Sequence, residues 1–246
     1  MKKDTILKID KLDKFLDKKQ VLFSVDLECK EWEVFGFLWP NWAGKTTTMK
    51  SILRLIKPDN WTVEILWSEE LSKDIRAQIW FMPENTYLYK YLTWYEFLKF
   101  NWGFYDIEAD VLEQKIDMLL EKVGLKEAKS KLLAKYSKWM LQRIWLAQAI
   151  INDPKIVFLD EPMSWLDPLW RKMVKDLILD LKKNWTTVFF NTHILSDVES
   201  ICDRFAIIHK WHIIAEDKVK NLKTPLEDFF IEKIKEQEDG DYIEVK

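Results

Sequence analysis

Phe37-Leu38-Trp39-Pro40-Asn41-Trp42-Ala43-Gly44-Lys45-Thr46-Thr47-Thr48 decides the fold of this chain. The stretch follows the phosphate-loop pattern G-x-x-x-x-G-K-[ST], with tryptophan standing at the first glycine. Val34, Phe35, Phe37 and Leu38 lead in as a buried strand does. Gly44-Lys45-Thr46-Thr47 then opens a helix whose first N–H groups lack partners within the helix and suit an anion. In such a loop the lysine reaches the β- and γ-phosphates, the threonine hydroxyl meets Mg²⁺, and the backbone amides line a concavity. Lys45 and Thr46 are the candidates for the first two roles.

Composition sets the outer bounds. At 246 residues the chain suits one large domain, or a domain with a subdomain. A net charge of -3 with 32% charged residues gives no basic field, so no nucleic-acid partner is expected. Cys29 and Cys202 form no metal or disulfide pattern, which suits a reducing cytosol. No apolar run approaches the ~18–20 residues of a membrane span, and no signal core follows Met1-Lys2-Lys3-Asp4. The expectation is a soluble chain that can dock on a membrane partner.

Tryptophan usage is abnormal: 14 Trp stand against 5 Gly, where glycine averages about 7% of residues. Only the two types together would make an ordinary glycine complement. Pro58-Asp59-Asn60-Trp61, Lys183-Asn184-Trp185 and His209-Lys210-Trp211 read as turns, where a residue with positive φ is usually wanted. The tryptophans follow neither helical nor strand periodicity. They are read as residues in glycine positions.

Residues 5–28 alternate in the manner of antiparallel strands. The strand and phosphate loop follow at 33–48, with a helix through about Ile56. A short strand is expected at 62–66 and another within 74–83, ending at Pro83-Glu84. From about 93 to 151 apolar residues recur at three- and four-residue steps, as in helices. Ile156-Val157-Phe158-Leu159 is a continuous apolar run, as in a parallel strand buried on both faces. A helix over 168–183, a strand over 186–190, a short helix over 195–202 and a hairpin over 205–214 complete the pattern. Beyond Thr224 lies an acidic terminal helix. The alternation argues an α/β fold with a helical insertion.

Asp160-Glu161 ends the apolar strand. An acidic residue there can hold Mg²⁺, and the next carboxylate can polarise an attacking water. His193 follows a second apolar strand, at the edge where ligands gather in open parallel sheets. Its place suits a γ-phosphate contact, whereas His209 and His212 fall on the hairpin and read as exposed. Tyr136-Ser137-Lys138-Trp139-Met140-Leu141-Gln142-Arg143 precedes a helix beginning near Met140, with Ser137 as its N-cap.

The order of these segments resembles the nucleotide-binding subunit of ATP-binding-cassette (ABC) transporters over residues 5 to about 225. The resemblance implies an α/β P-loop NTPase cassette over 1–224, with an N-terminal antiparallel β subdomain, a helical subdomain at about 85–152, and an acidic tail over 225–246. Residues 39–46 are similar to the Walker A, Ile156 to Glu161 to the Walker B, and Ser164-Trp165-Leu166-Asp167 to the D-loop. The Tyr136–Arg143 segment is similar to the signature of the drug- and antibiotic-export branch.

By that resemblance ATP and Mg²⁺ are the ligands. Phe15 stacks on adenine, and Trp39, Pro40, Asn41, Trp42, Ala43, Gly44, Lys45, Thr46 and Thr47 surround the phosphates. Thr46, Glu84 and Asp160 serve the metal, Glu161 activates water, and His193 steadies the γ-phosphate. Ser137 and Asp167 meet nucleotide across a dimer of two cassettes. A transmembrane permease is the implied partner, coupled through Asn85 to Thr93 with Tyr87, Tyr89 and Tyr91. The implied location is the cytoplasmic face of the membrane.

The chain departs from the family at Glu84, where glutamine is commoner, and at Leu16, where glycine is frequent. Trp39, Trp42, Trp139 and Trp165 replace glycines in nucleotide-contacting motifs. Trp32, Trp61, Trp67, Trp170, Trp185 and Trp211 fall where relatives turn with glycine. An indole at Trp39 or Trp42 is expected to project toward the phosphate space. The alternative function is therefore a folded cassette with its nucleotide site blocked by Trp39, Trp42 and Trp139, acting as a scaffold.

Overall fold

The computed structural model describes residues 4–16, 18–39, 45–57, 59–84, 89–102, 109–149, 152–164 and 166–243. Two long strands, β1 (Thr5–Leu16) and β2 (Lys19–Lys30), pair antiparallel. Their register slips between Ile9 and Leu12, and Lys11 there has φ 51°. That bulge explains why the buried residues Ile9 and Leu12 are three apart and not two.

Next come β3 (Val34–Leu38) and α1 (Lys45–Ile52). The helix stops four residues short of the expected Ile56. Arg54 turns left-handed at φ 55°, and the N–H of Leu55 donates to the Lys50 carbonyl at 2.8 Å. This is a Schellman-type stop without glycine. After it, β4 (Asn60–Ile65) joins β1 to complete a three-stranded antiparallel sheet in the order β2-β1-β4.

The main sheet runs β5-β6-β7-β3-β8-β9, with β5 (Ile79–Met82), β6 (Ile156–Asp160), β7 (Thr187–Thr192), β8 (Arg204–His209) and β9 (His212–Lys218). Every neighbouring pair is parallel except β8 with β9. All residues of β3, β6 and β7 are buried, which is why they read as continuous apolar runs.

One face packs Phe35, Phe37, Phe158 and Phe189 against Leu7, Ile9 and Leu27 of the antiparallel sheet. The other packs Leu159, Val188 and Phe190 with residues from α6 (Pro168–Lys183), α7 (Leu195–Ile201) and α8 (Leu226–Ile243). Gly36 of β3 lies against Val198 of α7 and Cys202 just beyond it. A Cβ there would lie 2.8 Å from Cys202 Sγ and 2.9 Å from Val198, so only glycine fits without displacement.

A third cluster lies wholly within 94–147, from α3 (Trp94–Trp102), α4 (Ala109–Lys122) and α5 (Lys138–Ala149). The helical pattern of the insertion is thus realised as a core of its own. Between α1 and β5 sits one short helix, α2 (Lys73–Arg76), which the periodicity did not suggest.

Four tryptophans sit in left-handed backbone: Trp32 (φ 61°), Trp67 (φ 62°), Trp185 (φ 64°) and Trp211 (φ 74°). Leu66-Trp67 and Lys210-Trp211 are each a positive-φ pair closing a two-residue hairpin, between Ile65 and Ser68 and between His209 and His212. Trp185 ends α6, with its N–H on the Lys182 carbonyl at 3.0 Å and that of Thr186 on Leu181 at 3.0 Å. An L-residue held left-handed costs roughly 1–2 kcal/mol, a cost glycine escapes. Trp61 and Trp170 differ from the expectation. The first lies within β4 and the second within α6, and neither is a turn.

Candidate nucleotide site

The phosphate loop leaves the C-terminal end of β3, between β7 and β8. Registers of Leu38 with Thr192 and of Asp160 with Asn191 bring the ends of β3, β6 and β7 to one edge. Lys45 and Thr46 begin α1 at that edge, with Thr47 half-buried beside them. Pro40 to Gly44 and the side chains of Lys45 and Thr46 lie outside the described residues.

Trp39 corrects one expectation. Its indole is 3% exposed and belongs to the core between the two sheets. It meets Phe37 edge-on at 5.9 Å and Trp211 at 6.0 Å. The side chain is directed under the sheet because the apolar space there outbids solvent for an indole.

Asp160 is fully buried, and Oδ1 accepts a hydrogen bond from Asn191 Nδ2 at 3.1 Å. Glu161 is 4% exposed and left-handed at φ 52°, its N–H donating to the Asn191 carbonyl at 3.2 Å. That turn ends the strand and swings the carboxylate toward the end of β7. There His193 Nδ1 stands 2.9 and 3.0 Å from the two carboxylate oxygens, and Ser164 Oγ donates to Oε2 at 2.7 Å.

A carboxylate can only accept, so Nδ1 carries the proton in this contact. The His193 side chain is 43% exposed, open to a ligand at this edge. Strain of this kind is common where a side chain must be aimed. The loop before α7 is tied by the Ile194 N–H on Thr192 Oγ1 at 3.1 Å. Buried Asp197 on α7 accepts Arg171 and Lys175 from α6 at 2.7 and 2.9 Å.

Ser137 Oγ accepts the Met140 N–H at 3.3 Å, so it caps α5, which begins two residues earlier than expected. Tyr136 beside it is buried and its hydroxyl donates to the Ala128 carbonyl at 2.6 Å. Burial pushes this phenol up to about 12. A raised folded-state value supports stability below the ordinary value of about 10, and this support is lost as pH rises through about 12. Tyr136→Phe is expected to lose about 0.5–1.5 kcal/mol in a urea melt at neutral pH, one net hydrogen bond, because the Ala128 carbonyl keeps the Lys131 N–H at 2.9 Å. It should also lose less stability than the parent above pH 10.

Arg143, the last residue of the signature-like segment, ties the helical cluster together. Nη1 donates to the Val123 and Gly124 carbonyls at 2.9 and 3.3 Å, closing the C-terminus of α4. Its guanidinium lies over Trp170 of α6 at 3.0 Å from the ring centre. Burial pushes Arg143 down to about 10, leaving it cationic at neutral pH. The helical cluster is thereby fastened to the layer that follows the D-loop segment.

Asp167 caps α6 through Leu169 and Trp170 N–H groups at 3.0 and 3.1 Å. Phe15 and Glu84 are exposed, on β1 and just beyond β5. Among the described residues no bond joins Ser137, Asp167, Phe15 or Glu84 to the Asp160–Glu161–His193 group. His209 is half-buried, not exposed, and His212 is exposed and stacks on Phe23 at 4.8 Å. The sequence does not single out Asn191; a lone polar residue closing an apolar strand was its one signal.

A family model for the ABC transporter matches residues 22–164. The chain belongs to the ABC transporter ATP-binding family. An uncharacterised ABC transporter ATP-binding protein of Nostoc is 46% identical over 192 residues, 77% of this chain and 57% of that protein. The bacitracin transport ATP-binding protein BcrA of Bacillus licheniformis is 35% identical over 222 residues, 89% of this chain and 72% of its own. A solved structure titled as the ATP-binding subunit of an ABC transporter superposes with TM-score 0.86 at 26% identity, covering 94% of this chain and 100% of that one. The chain thus spans little more than half the length of the Nostoc relative. As an ABC cassette it has the expected α/β architecture, with an antiparallel β sheet beside the main sheet and an inserted helical cluster. No helix among the described residues is long and apolar enough to cross a membrane.

Proposed function

We propose that this cassette binds Mg-ATP at the C-terminal edge of β3, β6 and β7 and hydrolyses it to drive a membrane exporter. One observation carries the reading. A buried carboxylate, Glu161, is aimed by His193 and Ser164 next to buried Asp160, at the edge where the phosphate loop begins.

Asp160 offers hard carboxylate oxygen at a strand end, the donor type that Mg²⁺ takes, so the residues present fit the ion. Mg²⁺, when bound, neutralises charge on the transferring phosphoryl group. Asp160 would hold it together with Thr46 and Glu84, and Asn191 fixes the orientation of Asp160. Glu161 is the general base for water. His193, held through Nδ1 by Glu161, would steady the γ-phosphate by donating from Nε2 when the ring carries both protons. Lys45 reaches the β- and γ-phosphates, the backbone N–H groups of the loop other than at Pro40 surround them, and Phe15 stacks on adenine.

Ser137 caps the γ-phosphate of a second cassette, and Asp167 lines the same dimer interface. A transmembrane permease binds near 85–93, where exposed Tyr89 and Tyr91 meet at 5.9 Å; Tyr87 lies outside the described residues. The work is done at the cytoplasmic face of the membrane. Export is the better direction because BcrA is a bacitracin transport protein and another relative, from Mycobacterium tuberculosis, is a fluoroquinolones export protein. With Trp39 turned into the core, no observation favours the blocked, non-hydrolysing alternative.

The test is a thermal melt with and without millimolar Mg-ATP. A ligand held only by the native state adds RT ln(1 + [L]/Kd), about 2.7 kcal/mol at a hundredfold excess over Kd. A rise of several degrees is expected. A cooperative melt that Mg-ATP does not move would contradict the proposal.

A further inference from the structure

Several tryptophans of this chain stand where the backbone asks for glycine. Among the described residues twelve other than glycine have positive φ, and four of those are Trp32, Trp67, Trp185 and Trp211. A bulky side chain is an outlier in that region. These four occupy the places that ask for glycine: two hairpin turns with both central residues left-handed, a helix C-terminus, and the turn that ends β2.

Trp39 stands at the first glycine of the phosphate-loop pattern. The census of 14 Trp and 5 Gly has the two counts displaced in opposite directions.

One cause accounts for the left-handed tryptophans, the phosphate-loop mismatch and the skewed census. The triplet UGA is read as tryptophan in some variant genetic codes and as glycine in others. We propose that the polypeptide made in the source cell carries glycine at Trp32, Trp39, Trp42, Trp67, Trp139, Trp165, Trp185 and Trp211, each encoded by UGA and read there as glycine. The phosphate loop is then Gly-Pro-Asn-Gly-Ala-Gly-Lys-Thr, with backbone amides free to turn inward. The turn positions lie outside the nucleotide site, so this inference stands without ATP hydrolysis.

The experiment has a direct and a physical arm. The gene is read at these eight codons, and tryptic peptides of the protein from its native cells are weighed. UGA codons with glycine masses are expected. UGG codons, or peptides that keep the tryptophan mass, would overturn the proposal.

In the physical arm Trp32, Trp67, Trp185 and Trp211 are changed together to Gly or to Ala, and the melts compared. Alanine removes the indole but keeps the Cβ, so only glycine relieves the left-handed strain. The glycine variant is expected to melt several degrees above the alanine variant. Equal melting, or a lower value for glycine, would contradict it. Changing the four motif positions as well should enlarge the Mg-ATP shift, and an unchanged shift would count against the phosphate-loop part.

Discussion

Glu161→Gln is expected to lower phosphate release about 10²- to 10⁴-fold while the Mg-ATP-induced rise in melting temperature persists. Glutamine keeps the size of the side chain and an acceptor oxygen for Ser164 or His193, which now hold the carboxylate at 2.7 and 2.9 Å. It cannot take a proton from water. The separation of binding from turnover is the signature of a base. A merely structural carboxylate, buried and doubly bonded, would instead lower stability and both readouts together. The variant is best made on the glycine-bearing chain, where the left-handed turns are relieved. Comparable loss of binding and turnover would remove Glu161 from the base role.

Lys45→Ala has the second large effect, on binding. Charge-assisted hydrogen bonds to phosphate contribute about 1.5–3 kcal/mol, so ATP affinity should fall roughly 10- to 150-fold. At a hundredfold excess over the parent Kd the upward melting shift should shrink to about half or less, while the nucleotide-free melt stays put. Lys45 stands at the first turn of α1, where the helix N-terminus already favours an anion. A variant that keeps the full shift would show that phosphate is bound elsewhere. Isothermal titration gives the same comparison free of folding effects.

Much of this architecture is legible in the sequence because burial and period coincide. β3, β6 and β7 are buried on both faces, so Val34–Leu38, Ile156–Leu159 and Val188–Phe190 announce themselves as apolar runs. The helix expected over 168–183 matches α6, whose ends are fixed by Asp167 as cap, Pro168 at its start and Asn184 at its close. α1 was read too long because its stop is made by Arg54 in a conformation that carries no glycine signal.

At the site, order along the chain pointed to Asp160, Glu161 and His193, since each ends a strand at the same sheet edge. Pairing across strands is not written in local sequence. Hence Asn191, which bonds Asp160 from the neighbouring strand, and Arg143, which closes α4 twenty residues upstream, were passed over. Trp39 misled for a different reason. Sequence gives the place of a side chain on a loop but not the side of the sheet to which it turns.

The most direct measurement is steady-state phosphate release by the glycine-bearing chain in Mg-ATP, run beside the same chain with Glu161→Gln. The account predicts saturable release that the substitution removes, with cooperative folding and an ATP-shifted melt in both. Release that survives Glu161→Gln, or none at all from a folded chain that binds Mg-ATP, would contradict it.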